Sequence, residues 1–95
     1  MPVLVIVQGK IQDRAMLEEY SAQAGAMVRA HQGKLIAFDE QPETVEGKND
    51  RPRTVVLEFP SKAAFRAWYD SPEYQKVLPL RLKSAPGTLI VVNGK

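Results

Sequence analysis

The sequence predicts an α+β domain: four strands in one antiparallel sheet, with helices packed on one of its faces. Three observations lead there. Short runs of β-branched and apolar residues at 3–7, 53–59 and 87–93 read as strands, and between them lie stretches with apolar residues at spacings of three and four, which read as helices. A polar, turn-rich segment at 40–52 joins two strands without a helix between them, as in a hairpin. The chain has 95 residues, which is enough for one hydrophobic core and not for two, so residues 1–95 are read as a single domain.

Residues 2–10 open the chain as a strand that is apolar on both alternating faces, with Val3, Val5 and Val7 on one and Leu4 and Ile6 on the other. A helix of about twenty residues follows from Asp13, whose carboxylate can accept from free N–H groups of the first turn. Its inner stripe is Leu17, Tyr20, Ala24, Met27, Val28 and His31, and Gly33 is the expected stop, since glycine tolerates the left-handed conformation there. Residues 35–39 form the second strand. The segment 40–52 carries Pro42, Gly47, Asn49, Asp50 and Pro52, with a short extension of the hairpin expected at 44–46. Arg53–Phe59 is the third strand, apolar on both faces except at Glu58, and Pro60 ends it.

Ser61 caps a short helix that buries Ala64, Phe65 and Trp68. Ser71-Pro72-Glu73 starts the next: a hydroxyl cap, proline at the first helical position and an acid in the first turn. Tyr74, Val77, Leu78 and Leu82 mark its inner face, and Pro79 is expected to bend or interrupt it by removing one N–H and crowding the Gln75 carbonyl. Gly87–Asn93 is the last strand. Strand, helix, strand, strand, helix in two pieces, strand is the ferredoxin-like order, with the first and third strands central.

Helices cover only one face of such a sheet, yet the first, third and last strands are apolar on both. A bare apolar face of several hundred Å² is rarely left exposed by a monomer, so two sheets are expected to pack face to face about a two-fold axis as a homodimer. Charge and composition exclude other classes. Thirteen basic and eleven acidic residues alternate along the chain, giving a net +2 with no basic patch. The strand positions where RNA-recognition domains place stacking aromatics hold Val5, Val7, Val55 and Leu57, so no nucleic-acid partner is expected. Cysteine is absent, which removes disulfides, thiolate nucleophiles and Cys-ligated metals. The opening apolar run is five residues long and has no basic leader before it, too short for a signal peptide or a membrane span; a cytoplasmic protein without a membrane partner is expected.

Three segments resemble one family: Pro42-Glu43-Thr44-Val45-Glu46-Gly47, Val56-Leu57-Glu58-Phe59-Pro60-Ser61, and Tyr69-Asp70-Ser71-Pro72-Glu73-Tyr74-Gln75, with Tyr20, Gly33 and Arg81 also in its pattern. It is the family of unknown function numbered thirteen-thirty, in the dimeric α+β barrel superfamily. The resemblance spans essentially the whole chain and implies a ferredoxin-like protomer in a barrel-forming homodimer. It assigns no reaction. The wider superfamily is similar to a collection of small-molecule enzymes, among them cofactor-free monooxygenases, lactone isomerases and haem proteins, and fold analogy alone is a weak warrant for function.

The candidate chemistry rests on few residues. Glu58 is the one charge within an otherwise apolar strand; pointing under the helices it would suit proton transfer, and at a strand end it would be half solvated. Arg81 and Arg53 are possible partners for Glu58 or for an anionic ligand, because a guanidinium grips a carboxylate in two places. Tyr20, Tyr69 and Tyr74 lie on or near inward helix faces and offer hydroxyls that can orient a small ligand, although aromatics at this spacing more often build core. Glu46 could reach a cavity mouth. His31 is the sole imidazole; it fits a helix C-terminus, cannot form a His-rich metal site, and as an axial haem ligand has nothing else to support it. The expected site is therefore Glu58 as proton acceptor, Arg81 as anion stabiliser and Tyr20, Tyr69 and Tyr74 as orienters of a small acyl or aromatic molecule, with no metal or cofactor required. The alternative is a non-catalytic dimeric interaction module, and an open cavity or a filled core distinguishes the two.

Overall fold

The computed structural model describes residues 1–95. Its elements run β1 (Val3–Gly9), α1 (Arg14–Ala30), β2 (Lys34–Asp39), β3 (Arg53–Phe59), α2 (Lys62–Tyr69), α3 (Pro72–Ser84) and β4 (Gly87–Asn93). The strands pair antiparallel in the order β2-β3-β1-β4, so β1 and β3 are central. This is the ferredoxin-like α+β fold the sequence predicts.

Register decides which residues meet the helices. Val5 lies opposite Leu57 on one side and Val91 on the other, while Ile6 lies opposite Val56 and Ile90. Side chains alternate along a strand, so these two rows occupy opposite faces. Val3, Val5 and Val7 are buried under the helices with Leu57 and Phe59. Leu4, Ile6, Val56, Glu58, Ile90 and Val92 point the other way, onto a face that no helix covers, and there Ile90 is 50% exposed.

Asp13 caps α1, accepting from the Met16 N–H at 3.1 Å, and Leu17, Tyr20, Ala24 and Val28 are its buried stripe. The helix is 17 residues long, shorter than expected. His31 closes it: the backbone N–H donates to Val28, and Nδ1 lies 3.0 Å from the Met27 carbonyl oxygen. The left-handed residue is Gln32, at φ 69°, and not Gly33. Gly33 is needed for a different reason. A Cβ there would sit 2.5 Å from Val28 Cγ1 and 2.8 Å from the Phe59 ring, so β2 can leave α1 this closely only without a side chain.

β2 begins at Lys34, one residue before the expected start, and a bulge at Ile36 keeps Leu35 and Phe38 on the helix side, opposite Leu57 and Val55. The expected extension at 44–46 is absent; those residues lie outside any strand and are exposed. Ser61 caps α2 through the Ala64 N–H. Ser71 links α2 to α3, donating to the Trp68 carbonyl at 2.8 Å and accepting from the Tyr74 N–H at 3.2 Å.

The expected interruption of α3 at Pro79 does not occur, and one of its expected inward positions differs. The helix continues through Pro79, because Val77 and Leu78 bury the half before it and Arg81 and Ser84 the half after, while the Gln75 carbonyl it deprives of a donor belongs to an exposed residue. Leu82 is 52% exposed, and the inward position one residue earlier belongs to Arg81. No helix of the chain is long and apolar enough to cross a membrane.

Candidate functional site

α1 packs chiefly against α3, and every residue of β2 remains exposed. The sheet therefore extends past its helical cover on the β2 side. Between α1 and that overhang lies a cleft of about 630 Å³. Ala24, Gly25 and Val28 form its helical wall, Val55 and Leu57 its sheet wall, and Leu35 and Phe38, 63% and 52% exposed, stand at its rim.

The buried end of the cleft is polar. Tyr20 comes from the middle of α1. Tyr74 is fixed by the Ser71 cap in the first turn of α3, and Arg81, seven residues on, projects from the same helix face two turns later. The Tyr20 and Tyr74 hydroxyls are 2.7 Å apart, and Arg81 Nε donates to the Tyr74 hydroxyl at 3.4 Å. Tyr74 rests on Trp68 with ring centroids 4.3 Å apart, and Trp68 stacks on Phe59 at 5.5 Å, so the hydroxyl end stands on a rigid aromatic base. Arg53, the first residue of β3, alternates with Val55 and Leu57 onto this side. It is 7% exposed, with its guanidinium 5.4 Å from the centre of the Phe38 ring.

Burial pushes the Tyr20 hydroxyl well above the ordinary tyrosine range; the neighbouring Tyr74 adds to the effect and Arg81 opposes it only in part. Tyr20 is thus a neutral phenol. Burial disfavours the Arg81 charge, but the Tyr74 and Tyr20 oxygens more than offset this and raise its pKa. For Arg53 burial dominates, with Arg81 and Arg14 adding repulsion against Tyr20 and Glu40, and its pKa is lowered. An arginine so placed still keeps its proton at neutral pH.

Three of the five expected site residues, Tyr20, Tyr74 and Arg81, come together at the cleft. Glu58 does not join them. It lies opposite Leu4 and Lys34 on the helix-free face, half-buried, because it alternates out of phase with Leu57 and Phe59. Tyr69 is also absent from the lining: its ring stacks on Phe65 at 5.8 Å and lies under the Arg66 guanidinium, on the outer side of the aromatic group. Glu46 is exposed and does not line the cleft. Arg53, considered from sequence only as a partner, is part of the site, and so is Trp68, which reads as core. The strand alternation that buries Phe59 is the signal that assigns Arg53 to this side and Glu58 to the other. No three His, Cys, Asp or Glu side chains are grouped so as to hold a metal.

A model of a domain of unknown function, DUF1330, matches residues 2–95. The chain belongs to the DUF1330 family. No curated protein matches it. Among solved structures, this DUF1330 chain is similar to a protein of unknown function from Rhodopseudomonas palustris, with a TM-score of 0.84 and 17% identity over 99% of this chain and 82% of that one. It is similar to a dimeric ferredoxin-like protein of unknown function from Jannaschia sp. CCS1, with a TM-score of 0.63 and 19% identity over 100% and 99% of the two chains. It is also similar to an N63A mutant of SnoaB, a cofactor-independent oxygenase from Streptomyces nogalater, with a TM-score of 0.66 and 14% identity over 99% and 93%. At such identities the likeness shows the fold alone.

Proposed function

We propose that this DUF1330 chain works as a homodimer that binds a small acyl or aromatic molecule through an oxygen function in the cleft, and that it acts on that molecule without a cofactor by stabilising a negative charge on the oxygen. The observation that carries this reading is the cleft of about 630 Å³ with the Tyr20–Tyr74–Arg81 chain at its buried end. An open cleft of this size supports this reading over a packing module, whose facing side chains need leave no such space. The volume is in the usual range for small-molecule sites.

The chemistry follows from the donors. A carbonyl oxygen at the hydroxyl end meets a phenol held protonated by burial and a fixed guanidinium behind it. Both strengthen their hold as the oxygen gains charge, which favours enolisation and reactions that pass through an enolate or phenolate, with solvent water taking the α-proton because no carboxylate or imidazole lines the cleft. Glu58 takes no part from the far face, so the side chains of the cleft supply oxyanion stabilisation and proton donation. The homodimer is supported by the helix-free face, where Leu4, Ile6, Val56, Ile90 and Val92 form an apolar surface, and by neighbours that are dimeric.

Exchange of α-protons in D₂O tests the chemical half. Small aryl ketones incubated with the protein should exchange faster than in buffer, and Tyr74→Phe or Arg81→Met should remove most of the acceleration, about 10-fold or more. Ligands that bind in the cleft with no exchange above buffer would leave a binding protein and end the enzymatic reading.

A further inference from the structure

We propose that the ligand of the cleft is a monoanion: an acyl or aromatic body whose carboxylate is held by Arg53, with its carbonyl oxygen left to the Arg81–Tyr74–Tyr20 chain. This rests on the cleft being a ligand site and names the chemical class it takes.

Arg29, Lys34, Arg53 and Arg81 line the cleft, and no aspartate or glutamate does. The two ion pairs of the chain, Arg14–Glu40 at 3.1 Å and Arg66–Asp70 at 2.8 Å, both lie at the surface. The two buried arginines have no carboxylate. Glu40, the acid whose charge Arg53 feels, is held in two hydrogen bonds by Arg14. Buried charges in proteins are ordinarily paired, so Arg53, whose charge burial disfavours, beside a second guanidinium that only tyrosine oxygens support, calls for a counter-charge from outside the chain.

Arginine and the indole N–H only donate, and a hydroxyl donates one proton. Arg81 donates to Tyr74, and one proton serves the Tyr20–Tyr74 bond whichever of the two gives it. The pair therefore always has one hydroxyl proton to spare. Arg53 Nε and Trp68 Nε1 are buried without a partner, and both residues line the cleft. Three donors of different origin thus lack acceptors. A carboxylate at Arg53 answers the charge, and a carbonyl oxygen at the hydroxyl pair takes its spare proton. Phe38 meets the guanidinium face, and the terminal N–H groups of Arg53, unlike its buried Nε, are the ones available to such a partner.

Ten of the seventeen lining residues are hydrophobic. A bare phosphate or a sugar acid would leave them unmatched, whereas an acyl chain or ring covers them.

Paired acids and amides test the charge directly, and Trp68 reports on the cleft because it is the single tryptophan. Octanoate, benzoate and 4-phenylbutyrate are titrated against their amides, with tryptophan fluorescence and calorimetry as readouts. The expected result is that at least one acid binds about tenfold or more tightly than its amide, that the preference weakens as salt is added, and that Arg53→Met abolishes it while circular dichroism is unchanged. The acid-to-amide ratio is measured on the unaltered protein, so a variant that fails to fold does not remove the test. Acids and amides that bind equally, with Trp68 responding to both, would overturn the anion inference and leave the cleft as a neutral-ligand site. No response to any of the six compounds at millimolar concentration would overturn both.

Discussion

The Tyr20–Tyr74 hydrogen bond is a buried contact between two side chains 54 positions apart, and its protonation ties stability to pH. In the unfolded chain Tyr20 ionises around its ordinary value of 10.0, while in the folded state burial keeps the proton on. Above that pH the unfolded state binds fewer protons than the folded one, so unfolding becomes easier as pH rises. Urea midpoints at about pH 8 and about pH 11 should therefore fall further for the parent than for Tyr20→Phe, which has no such proton to lose. An equal fall in both would show that Tyr20 ionises as readily folded as unfolded. Residue by residue, the site was half legible in the sequence. Tyr20 and Tyr74 could be placed inward from helical spacing, because a helix face repeats over many residues, whereas that spacing put Leu82 in the inward place that Arg81 holds. Glu58 could not be placed, because its strand is apolar on both faces and composition gives no phase; pairing with β1 supplies it.

Elements begin where local chemistry says they must. Asp13, Ser61 and Ser71 all cap as expected, since a cap depends on only three or four neighbouring residues. Ser71→Ala should cost about 0.5–2 kcal/mol, read from the denaturation midpoint, as the Tyr74 N–H loses its acceptor. Where elements end or persist was less legible. Gly33 looked like a helix stop, but its space is taken by Val28 and by Phe59 from another strand, which is tertiary information. Gly33→Ala should accordingly cost about 1–3 kcal/mol through overpacking, well beyond the small effect of replacing an exposed left-handed glycine's neighbour. Gln32→Gly, at the residue that does carry the positive φ, should by contrast leave the midpoint unchanged or raise it slightly. Differential scanning calorimetry on the two variants checks the assignment. The unbroken course of α3 through Pro79 has the same origin: packing on both sides of the proline holds what propensity alone would release.

At the scale of the molecule, the element order and the central place of β1 and β3 were legible because hydrophobic period and turn chemistry agree along the chain. The cleft was not, since it is created by where α1 lies relative to β2. The helix-free face makes the largest-scale prediction. Sedimentation at micromolar concentration should give a dimer mass, as expected for an interface that in obligate dimers often exceeds about 2,000 Å² in total. Ile6, flanked by Val56 and Ile90, lies in the middle of that face. Ile6→Glu should yield monomers or a dimer weakened by orders of magnitude, because a carboxylate would be desolvated against a second apolar sheet. A dimer of unchanged strength in this variant would move the interface elsewhere.

The period of two in β1 and β3 has a consequence for how such a protein can diversify. Odd positions such as Val7, Arg53, Val55 and Leu57 border the cleft, and even positions such as Leu4, Ile6 and Val56 border the opposite surface. One strand therefore writes two messages in interleaved letters, and a substitution at one position edits only one of them. On the proposed roles of the two faces, a lineage would retune the cleft by drifting at odd positions while its even positions keep the opposite surface, or change that surface while keeping the cleft. Only an insertion or deletion within the strand, which swaps the parity of every residue beyond it, garbles both at once.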